Sequence, residues 1–169
     1  LGVLPQDMDL STVRRLVAHI KQAHPRHDTP LLVTPEATLR DVQGIIRKRS
    51  HDMVVVTDEG GRLMGVITQA DLRDQDQYTP ASRLMTRTLV TLKPDTSNEE
   101  AFGLLEQGRV RAAPVVDAGD RVVGVLSRDD AVRLELLRPA IDSEGRLMVA
   151  AAVGISAAVA ERALALKEL

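Results

Sequence analysis

The chain contains no cysteine and no tryptophan, and Tyr78 and Phe102 are its only aromatic side chains apart from histidine among 169 residues. The absence of cysteine excludes disulfides, thiolate metal sites and a cysteine nucleophile, and it fits the reducing cytoplasm in which we expect this protein. The core therefore has to be aliphatic, and recognition of nucleic acid by stacking bases on aromatic platforms is excluded.

An excess of one charge is also lacking, because 22 basic and 24 acidic residues give a net charge of −2. Such a balance leaves no overall field to attract nucleic acid or an anionic membrane, so any anion site has to be local.

The longest nearly uninterrupted apolar run, residues 147–160, has about 14 residues, whereas a spanning helix needs ~20. We expect no nucleic-acid partner and no membrane segment. The four histidines have no repeated spacing to carboxylates, so no metal site is expected.

What the chain does contain is one unit present twice, at an offset of 59 residues. The segment 65–71 aligns without a gap on the segment 124–130, and the best-matched positions form the pattern Gly-x-x-[Ser/Thr]-x-x-Asp. The same offset pairs residues of turns and caps: Pro35 with Pro94, Thr38 with Ser97, Asp58 with Asp117, Gly60 with Gly119 and Arg62 with Arg121. A match at one register across turns, caps and strands indicates a duplicated structural unit.

Each copy is predicted to contain a short strand, a helix, two strands joined by a glycine-containing turn, and a closing helix. The result is two β-α-β-β-α repeats of the α/β (α+β) class. The predicted first strands are 31–33 and 89–92, and the hairpin strands are 53–57, 63–67, 113–116 and 122–126. The first helices begin after Thr38 and Ser97, which have capping-box spacing, and the closing helices follow Thr68 and Ser127. The glycines of turns 58–61 and 117–120 suit a positive φ.

The flanks do not repeat. Apolar residues at helical spacing predict a helix over 10–24, after Asp9 and ended by Pro25. Residues 75–82 read as a polar linker between the copies. Residues 147–155 read as a buried strand, followed by a helix over 157–168 capped by Ser156. The predicted domains are a flank at 1–28, repeats at 29–84 and 85–138, and a second flank at 139–169.

A polar pair occupies the same place in each copy: Thr68 with Asp71, and Ser127 with Asp130. One interpretation is that each pair only caps a helix start. The other is that a strand ending in a glycine-led turn brings amides, a hydroxyl and a carboxylate together, where the carboxylate can accept hydrogen bonds from the hydroxyls of a ribose.

The pairs Thr38/Asp41 and Ser97/Glu100 are an internal comparison, because they have the capping spacing without the preceding glycine and apolar residues. We assign those two pairs to capping alone. The duplication favours a binding role for the other two, since both ends of the pattern are kept while neighbouring positions differ.

On these residues each copy resembles a cystathionine-β-synthase (CBS) motif, and residues 29–137 together resemble a tandem pair, or Bateman module. The resemblance implies two pseudosymmetric repeats whose clefts bind adenine nucleotides, with the Ser/Thr and Asp holding the ribose. The implied ribose residues are Thr68, Asp71, Ser127 and Asp130. Strand atoms implied to flank the base are those of Met53, Val54, Val55, Ala112, Ala113 and Pro114.

The chain departs from that family at the position before the motif aspartate, which is commonly Arg or Lys but is Ala70 and Asp129 here. The nearest substitutes for contacting phosphates are Arg128, Arg111, Arg73 and Lys48, each of which also suits a solvated surface charge. Because Arg128 has Gln69 as its counterpart, the two clefts are expected to bind phosphates unequally, and the second copy is the better candidate for an occupied site.

The flanks 1–9 and 142–155 are similar to the sequences that border such a module in the IMP dehydrogenase and GMP reductase family. The similarity implies insertion into a (β/α)8 barrel whose catalytic and NAD(P) sites lie outside this chain. We therefore expect a regulatory module without catalysis of its own, with purine nucleotides as ligands and self-association into a dimer or larger assembly. Two alternatives stay open: a ligand-free dimerisation module, and an independent enzyme, for which no constellation of Asp, Glu and His is evident.

Overall fold

The computed structural model describes residues 8–48, 52–150 and 159–167. The chain divides into two compact units, one of residues Arg26–Arg138 and one formed by the two ends of the chain. In chain order the elements are α1 (Leu10–Gln22), β1 (Leu32–Val33), α2 (Leu39–Ile46), β2 (Met53–Thr57), β3 (Leu63–Thr68), α3 (Ala81–Leu84), α4 (Asn98–Gln107), β4 (Ala112–Val116), β5 (Val122–Ser127), α5 (Arg128–Leu136) and α6 (Val159–Lys167).

The repeat unit contains two small sheets, one for each copy. In the first, β1 lies parallel to β2, which pairs antiparallel with β3; in the second, β4 pairs antiparallel with β5. The predicted strand 89–92 is wrong, since only Leu92 forms a bridge, parallel to Val115. In the first copy the Val55 amide donates to the Leu31 carbonyl at 2.8 Å. Pro114 stands at the equivalent position and has no N–H to donate, so the second strand is reduced to a bridge.

The predicted helices after Thr38, Ser97 and Ser127 are confirmed, and each of these side chains accepts a hydrogen bond from the amide three residues on. The closing helix predicted after Thr68 is wrong, because residues 69–74 form a turn in which Asp74 has a φ of 57°. The sequence 73–77 contains no apolar residue to hold a further helical turn against α2, whereas α5 continues and packs along α4.

In the second hairpin turn, the residue with a positive φ is not the predicted glycine. Gly61 has a φ of 76°, as a glycine in such a turn can, but its counterpart in the second copy is Asp120, with a φ of 61°, and not Gly119. Asp117 organises that turn by accepting bonds from the amides of Arg121 and Gly119. These hydrogen bonds hold the pKa of the Asp117 carboxyl below its usual value, and the bond from the Arg121 amide has the larger effect.

The two copies pair with each other at these turns. The Leu63 amide donates to the Asp120 carbonyl at 3.0 Å, and the Val122 amide donates to the Gly61 carbonyl at 3.0 Å. These partners are related by the 59-residue offset, so the bonds are reciprocal and define a local pseudo-twofold relation. A buried cluster joins the two sheets on this side, and its buried members are Met53, Val55, Val66 and Val125.

The segment that precedes each copy crosses to the other one. Thr86 exchanges two backbone hydrogen bonds with Val66 of β3, at 2.9 and 3.0 Å, and Asp28 exchanges two with Val125 of β5, at the same distances. Gly65 and Gly124 lie inside β3 and β5 beside these crossings, so the prediction that they lead a turn is wrong. A Cβ on Gly65 would come within 2.8 Å of the Met85 sulfur, and one on Gly124 would overlap the His27 ring. Both glycines therefore permit close approach.

Arg26 holds the loop at the start of α4. Its guanidinium donates to the carbonyls of Pro94 and Thr96 and to the Asn98 side chain. The equivalent carbonyls of the first copy, at residues 35 and 37, accept from the amides of residues 82 and 81 at the start of α3. One arginine side chain therefore replaces two backbone donors, and this contact is outside the reach of any local sequence pattern.

Substitution of Arg26 by alanine is expected to lower the free energy of unfolding by about 2 kcal/mol, because hydrogen bonds from a charged group contribute roughly 1.5–3 kcal/mol. Arg26→Lys should fall between, since one ammonium cannot reproduce the planar fork. Urea denaturation of both variants measures this. Arg87→Ala is the control, because Arg87 is exposed; an Arg26→Ala loss no larger than that of Arg87→Ala would contradict the assignment.

The unit formed by the chain ends contains α1 and α6, which contact each other. The helix predicted after Asp9 is confirmed, and the side chain of Asp9 caps it by accepting from the amide of Thr12. The Lys21 ammonium lies 2.9 Å from the Asp142 carboxylate and, with the amide of Arg146, holds the pKa of Asp142 well below its usual range. The predicted strand 147–155 is wrong in its described part, since residues 147–150 form no strand and Met148 is 61% exposed. Residues 151–155 and Ser156 lie outside the described residues.

Candidate functional site

The polar pair of the first copy lies where β3 ends. The amide and hydroxyl of Thr68 both donate to Oδ2 of Asp71, at 2.8 and 2.7 Å. Both side chains are half-buried. Both bonds from Thr68 go to Oδ2, and no described residue donates to Oδ1 of Asp71. The amides of Gln69 and Ala70 donate to no described backbone carbonyl. This turn therefore offers one carboxylate oxygen and two amides to a ligand.

In the second copy, both oxygens of the motif carboxylate have partners. The Ser127 hydroxyl donates to Oδ2 of Asp130 at 2.5 Å, and the Asp130 amide donates back to that hydroxyl at 3.1 Å. The Arg133 guanidinium then binds Oδ1 of Asp130 at 2.9 Å. Asp74 stands at the position equivalent to Arg133, so the first carboxylate lacks this cation. The duplicated motif has therefore become asymmetric.

Thr38 and Asp41, one of the two pairs assigned to capping, have almost the same local geometry as Thr68 and Asp71. The amide and hydroxyl of Thr38 donate to Oδ2 of Asp41 at 2.9 and 2.7 Å. The hydrogen bond from the Thr38 hydroxyl lowers the pKa of Asp41 most, and the bond from the Thr38 amide lowers it further. The two pairs differ in whether the next two amides are free for a ligand. After Thr38, the amides of Leu39 and Arg40 already donate to the carbonyls of residues 79 and 77. The start of α2 is closed in this way, whereas the turn after Thr68 is open.

The predicted base-flanking strands lie directly beside the polar pairs. Met53 is the cross-strand neighbour of Thr68, and Ala112 that of Ser127. Because side chains alternate along a strand, Met53, Val55 and Ala112 belong to the cluster between the copies, whereas Val54 and Ala113 pack into the separate cores beneath the helices. Val54, Ala113 and the fully buried Pro114 therefore leave little besides main chain for contact with a base.

The residues predicted to contact phosphate lie in different surroundings. Arg128 lies 3.8 Å from Glu106 of α4, and the Arg111 carbonyl accepts the Arg128 amide. Arg73 lines a groove with α2, and neither Thr68 nor Asp71 is among the residues lining that groove. Lys48 is an exposed residue just after α2. Their role as phosphate ligands stays a prediction.

Sequence reasoning missed the residues that fix the strands carrying these pairs, namely His27 beside Gly124 and Met85 beside Gly65. The signal that could have found them is the glycine inside each strand, which often marks the close approach of another segment. Within the described ranges, no three His, Asp or Glu side chains are close enough to hold a metal ion. No described helix is both long and apolar enough to cross a membrane.

Comparison with known proteins places these repeats. Residues 26–77 and 81–136 match the family model of the CBS domain. A GMP reductase of Mycobacterium tuberculosis is 36% identical over 166 residues, and an IMP dehydrogenase of the same organism is 32% identical over 170 residues. Both alignments cover 98% of this chain but 34% and 32% of the relatives, so the chain spans about a third of the length of the curated relatives it matches.

Solved structures give the same picture. A GMP reductase of Trypanosoma brucei in complex with GTP superposes with a TM-score of 0.74 at 26% identity, covering 99% of this chain and 42% of that one. CBSX2 in complex with AMP superposes with a TM-score of 0.59 at 26% identity, covering 64% and 88%. The cytosolic domain of the Mg²⁺ channel MgtE in complex with ATP has a TM-score of 0.59 at 26% identity, covering 75% and 55%.

Proposed function

The chain belongs to the CBS-domain family, and from this premise we propose that its repeat pair is a regulatory module that binds a purine nucleotide. The α/β tandem predicted from the sequence is thereby confirmed, while the predicted domain boundaries and barrel fragments stay predictions. Adenine nucleotides are the first candidates, because two structural neighbours hold AMP and ATP. GTP is the competitor, since a GMP reductase neighbour is a GTP complex.

The observation that carries the proposal is the open turn after β3. Oδ1 of Asp71 can accept hydrogen bonds from ribose hydroxyls while Oδ2 stays fixed by Thr68. The amides of Gln69 and Ala70 can donate to a ligand, and Met53 lies one strand away to flank a base. Ser127, Asp130 and Ala112 supply the corresponding groups in the second copy.

The two sites are expected to bind unequally, with the first copy tighter. Asp130 already holds Arg133, so a ribose has to compete with that ion pair. The sequence favours the second copy because of Arg128, but the Arg128 guanidinium lies 3.8 Å from the Glu106 carboxylate, which competes with a phosphate for it. We therefore reverse the order expected from the sequence.

Regulation follows if the ligand binds one arrangement of the two copies better than another. Coupling energies of about 1–3 kcal/mol are enough for useful control. We propose that the parent protein is an NAD(P)-dependent oxidoreductase similar to its GMP reductase and IMP dehydrogenase relatives, that its catalytic barrel lies outside this chain, and that it works in the cytoplasm as a dimer or larger assembly.

One observation favours the alternative of a ligand-free association module. Between α4 and α5 lies a shallow groove of about 240 Å³ that is lined by Phe102, Val132 and Leu136, among others. Leu136 is 77% exposed, and contiguous exposed apolar side chains of this kind commonly mark protein contacts. The groove would serve self-association with or without nucleotide.

A thermal-shift series discriminates between the two functions. A ligand at about 100 times its dissociation constant stabilises by ~2.7 kcal/mol, which corresponds to a rise in Tm of roughly 5–10 °C for a chain of this size. We expect such a rise with ATP, ADP or AMP. If neither these nucleotides nor GTP raises the Tm, while the chain is dimeric at every concentration, the association module is the better description.

A further inference from the structure

A polar groove lies between α2 and the turn that follows β3, next to the first proposed ribose site. Its volume is about 470 Å³, within the roughly 300–1,000 Å³ usual for small-molecule sites. Neither Thr68 nor Asp71 lines it. The lining residues are Gln43, Ile46, Arg47, Gln69, Leu72 and Arg73.

The chemistry of the groove suits an anion. Arg47 stands on the α2 wall and Arg73 on the opposite wall, and neither forms an ion pair with an acidic residue in the described part of the chain. Gln43 and Gln69 add one amide donor group from each wall. Two guanidinium groups with planar, forked donors are well matched to phosphate oxygens.

The second copy shows that the fold does not require this lining. Positions 59 residues later place Glu106 where the first copy has Arg47, and Val132 where it has Arg73. There α5 packs along α4 and Arg128 faces Glu106. A basic residue at the end of α2 complements the helix dipole, which accounts for Arg47 but not for Arg73. The charge of the groove is therefore a property of the first copy alone.

We propose that this groove is an accessory site for a ligand that carries a phosphate or pyrophosphate group. The equivalent groove of the second copy, between α4 and α5, has Phe102 and Val132 where the first copy has Gln43 and Arg73, so the two guanidinium groups are present only in the first. The guanidinium groups of Arg47 and Arg73 hold the anion from two sides, and the amides of Gln43 and Gln69 orient it. The proposal does not depend on nucleotide binding at Thr68 and Asp71.

Inorganic pyrophosphate is the probe, titrated into the isotope-labelled chain while the side-chain amide signals of Gln43 and Gln69 are followed by NMR. We expect both signals to shift together with saturation. Arg47→Gln and Arg73→Gln should each weaken binding about tenfold or more, as loss of a charged hydrogen bond does. Arg87→Gln should change nothing, because Arg87 is exposed and not part of the groove lining.

Asp71→Ala separates this proposal from the proposed function, since it should abolish ribose recognition and leave pyrophosphate binding intact. The accessory site is overturned if the two glutamine signals do not respond at pyrophosphate concentrations on the order of 10 mM, or if the arginine variants bind as tightly as the parent. It is also overturned if Arg47→Gln and Arg73→Gln dissociate an oligomer in sedimentation while the glutamine signals ignore pyrophosphate, because the groove would then be a contact between copies of the chain.

Discussion

The substitution Gly124→Ala is expected to destabilise the repeat pair by about 3 kcal/mol, which is at the upper end of the cost of overpacking a well-filled interior. The added Cβ would overlap the ring of His27. His27 precedes Asp28, whose two hydrogen bonds tie the entering segment to Val125, so we expect the overlap to strain that crossing. Urea denaturation followed by circular dichroism measures the loss, and the slope of the transition shows whether the native state stays compact.

Three matched variants make this result specific. Gly65→Ala would meet Sδ, Cβ and Cγ of Met85 at 2.8–2.9 Å, a smaller overlap than that with the His27 ring, so its cost should be lower, about 2 kcal/mol. Gly44→Ala and Gly103→Ala place their Cβ in open space on helices, and they should gain roughly 0.5–1 kcal/mol. Equal stability of Gly124→Ala and Gly44→Ala would show that the His27 crossing does not constrain the second copy.

Replacing Asp71 by alanine is expected to weaken nucleotide binding at the first site by about 100-fold, because two hydrogen bonds from ribose hydroxyls to a carboxylate contribute together at least ~3 kcal/mol. Asp130→Ala should do the same at the second site only. Since Arg133 already competes for Asp130, the second site should be the weaker one before any change. Isothermal titration calorimetry gives the stoichiometry and affinity of both variants.

Asp41→Ala is the control for this experiment. Its capping bonds to Thr38 match those of Asp71 to Thr68 within 0.1 Å for both the amide (2.9 against 2.8 Å) and the hydroxyl (2.7 Å in each). Loss of the cap should cost about 1 kcal/mol of stability and leave the affinity unchanged. If Asp71→Ala lowers stability by the same amount and leaves affinity and stoichiometry intact, Asp71 is a capping residue and nothing more.

The parts of the fold that could be predicted from sequence are those that depend on local chemistry. Capping residues such as Thr38, Ser97 and Ser127 mark helix starts because their side chains bond to amides three residues away. The hairpins follow from apolar runs bounded by turn residues. The 59-residue offset then places both polar pairs at strand ends, which is why the amino-acid sequence is enough to locate the hydroxyls and carboxylates of the candidate site.

What could not be predicted depends on partners far along the chain. The strand before β4 fails because Pro114 has no amide for it, although its own sequence, 89–92, is suitable. Arg26 bonds to carbonyls 68 and 70 residues away, and no periodic pattern reports such a contact. Likewise, no local pattern reports that Arg128 lies 3.8 Å from Glu106 or that Arg73 lines the groove beside α2; the role of these cations as phosphate ligands stays a prediction.

The location of nucleotide binding is the central claim, and amide chemical-shift mapping with ATP and AMP tests it most directly. We predict that the largest shifts occur in the turn after β3 and at the start of α5, around Thr68–Asp71 and Ser127–Asp130, with the first of these responding at lower ligand concentration. Saturating nucleotide that leaves both turns unshifted, or shifts only the exposed faces of α4 and α5, would contradict the account.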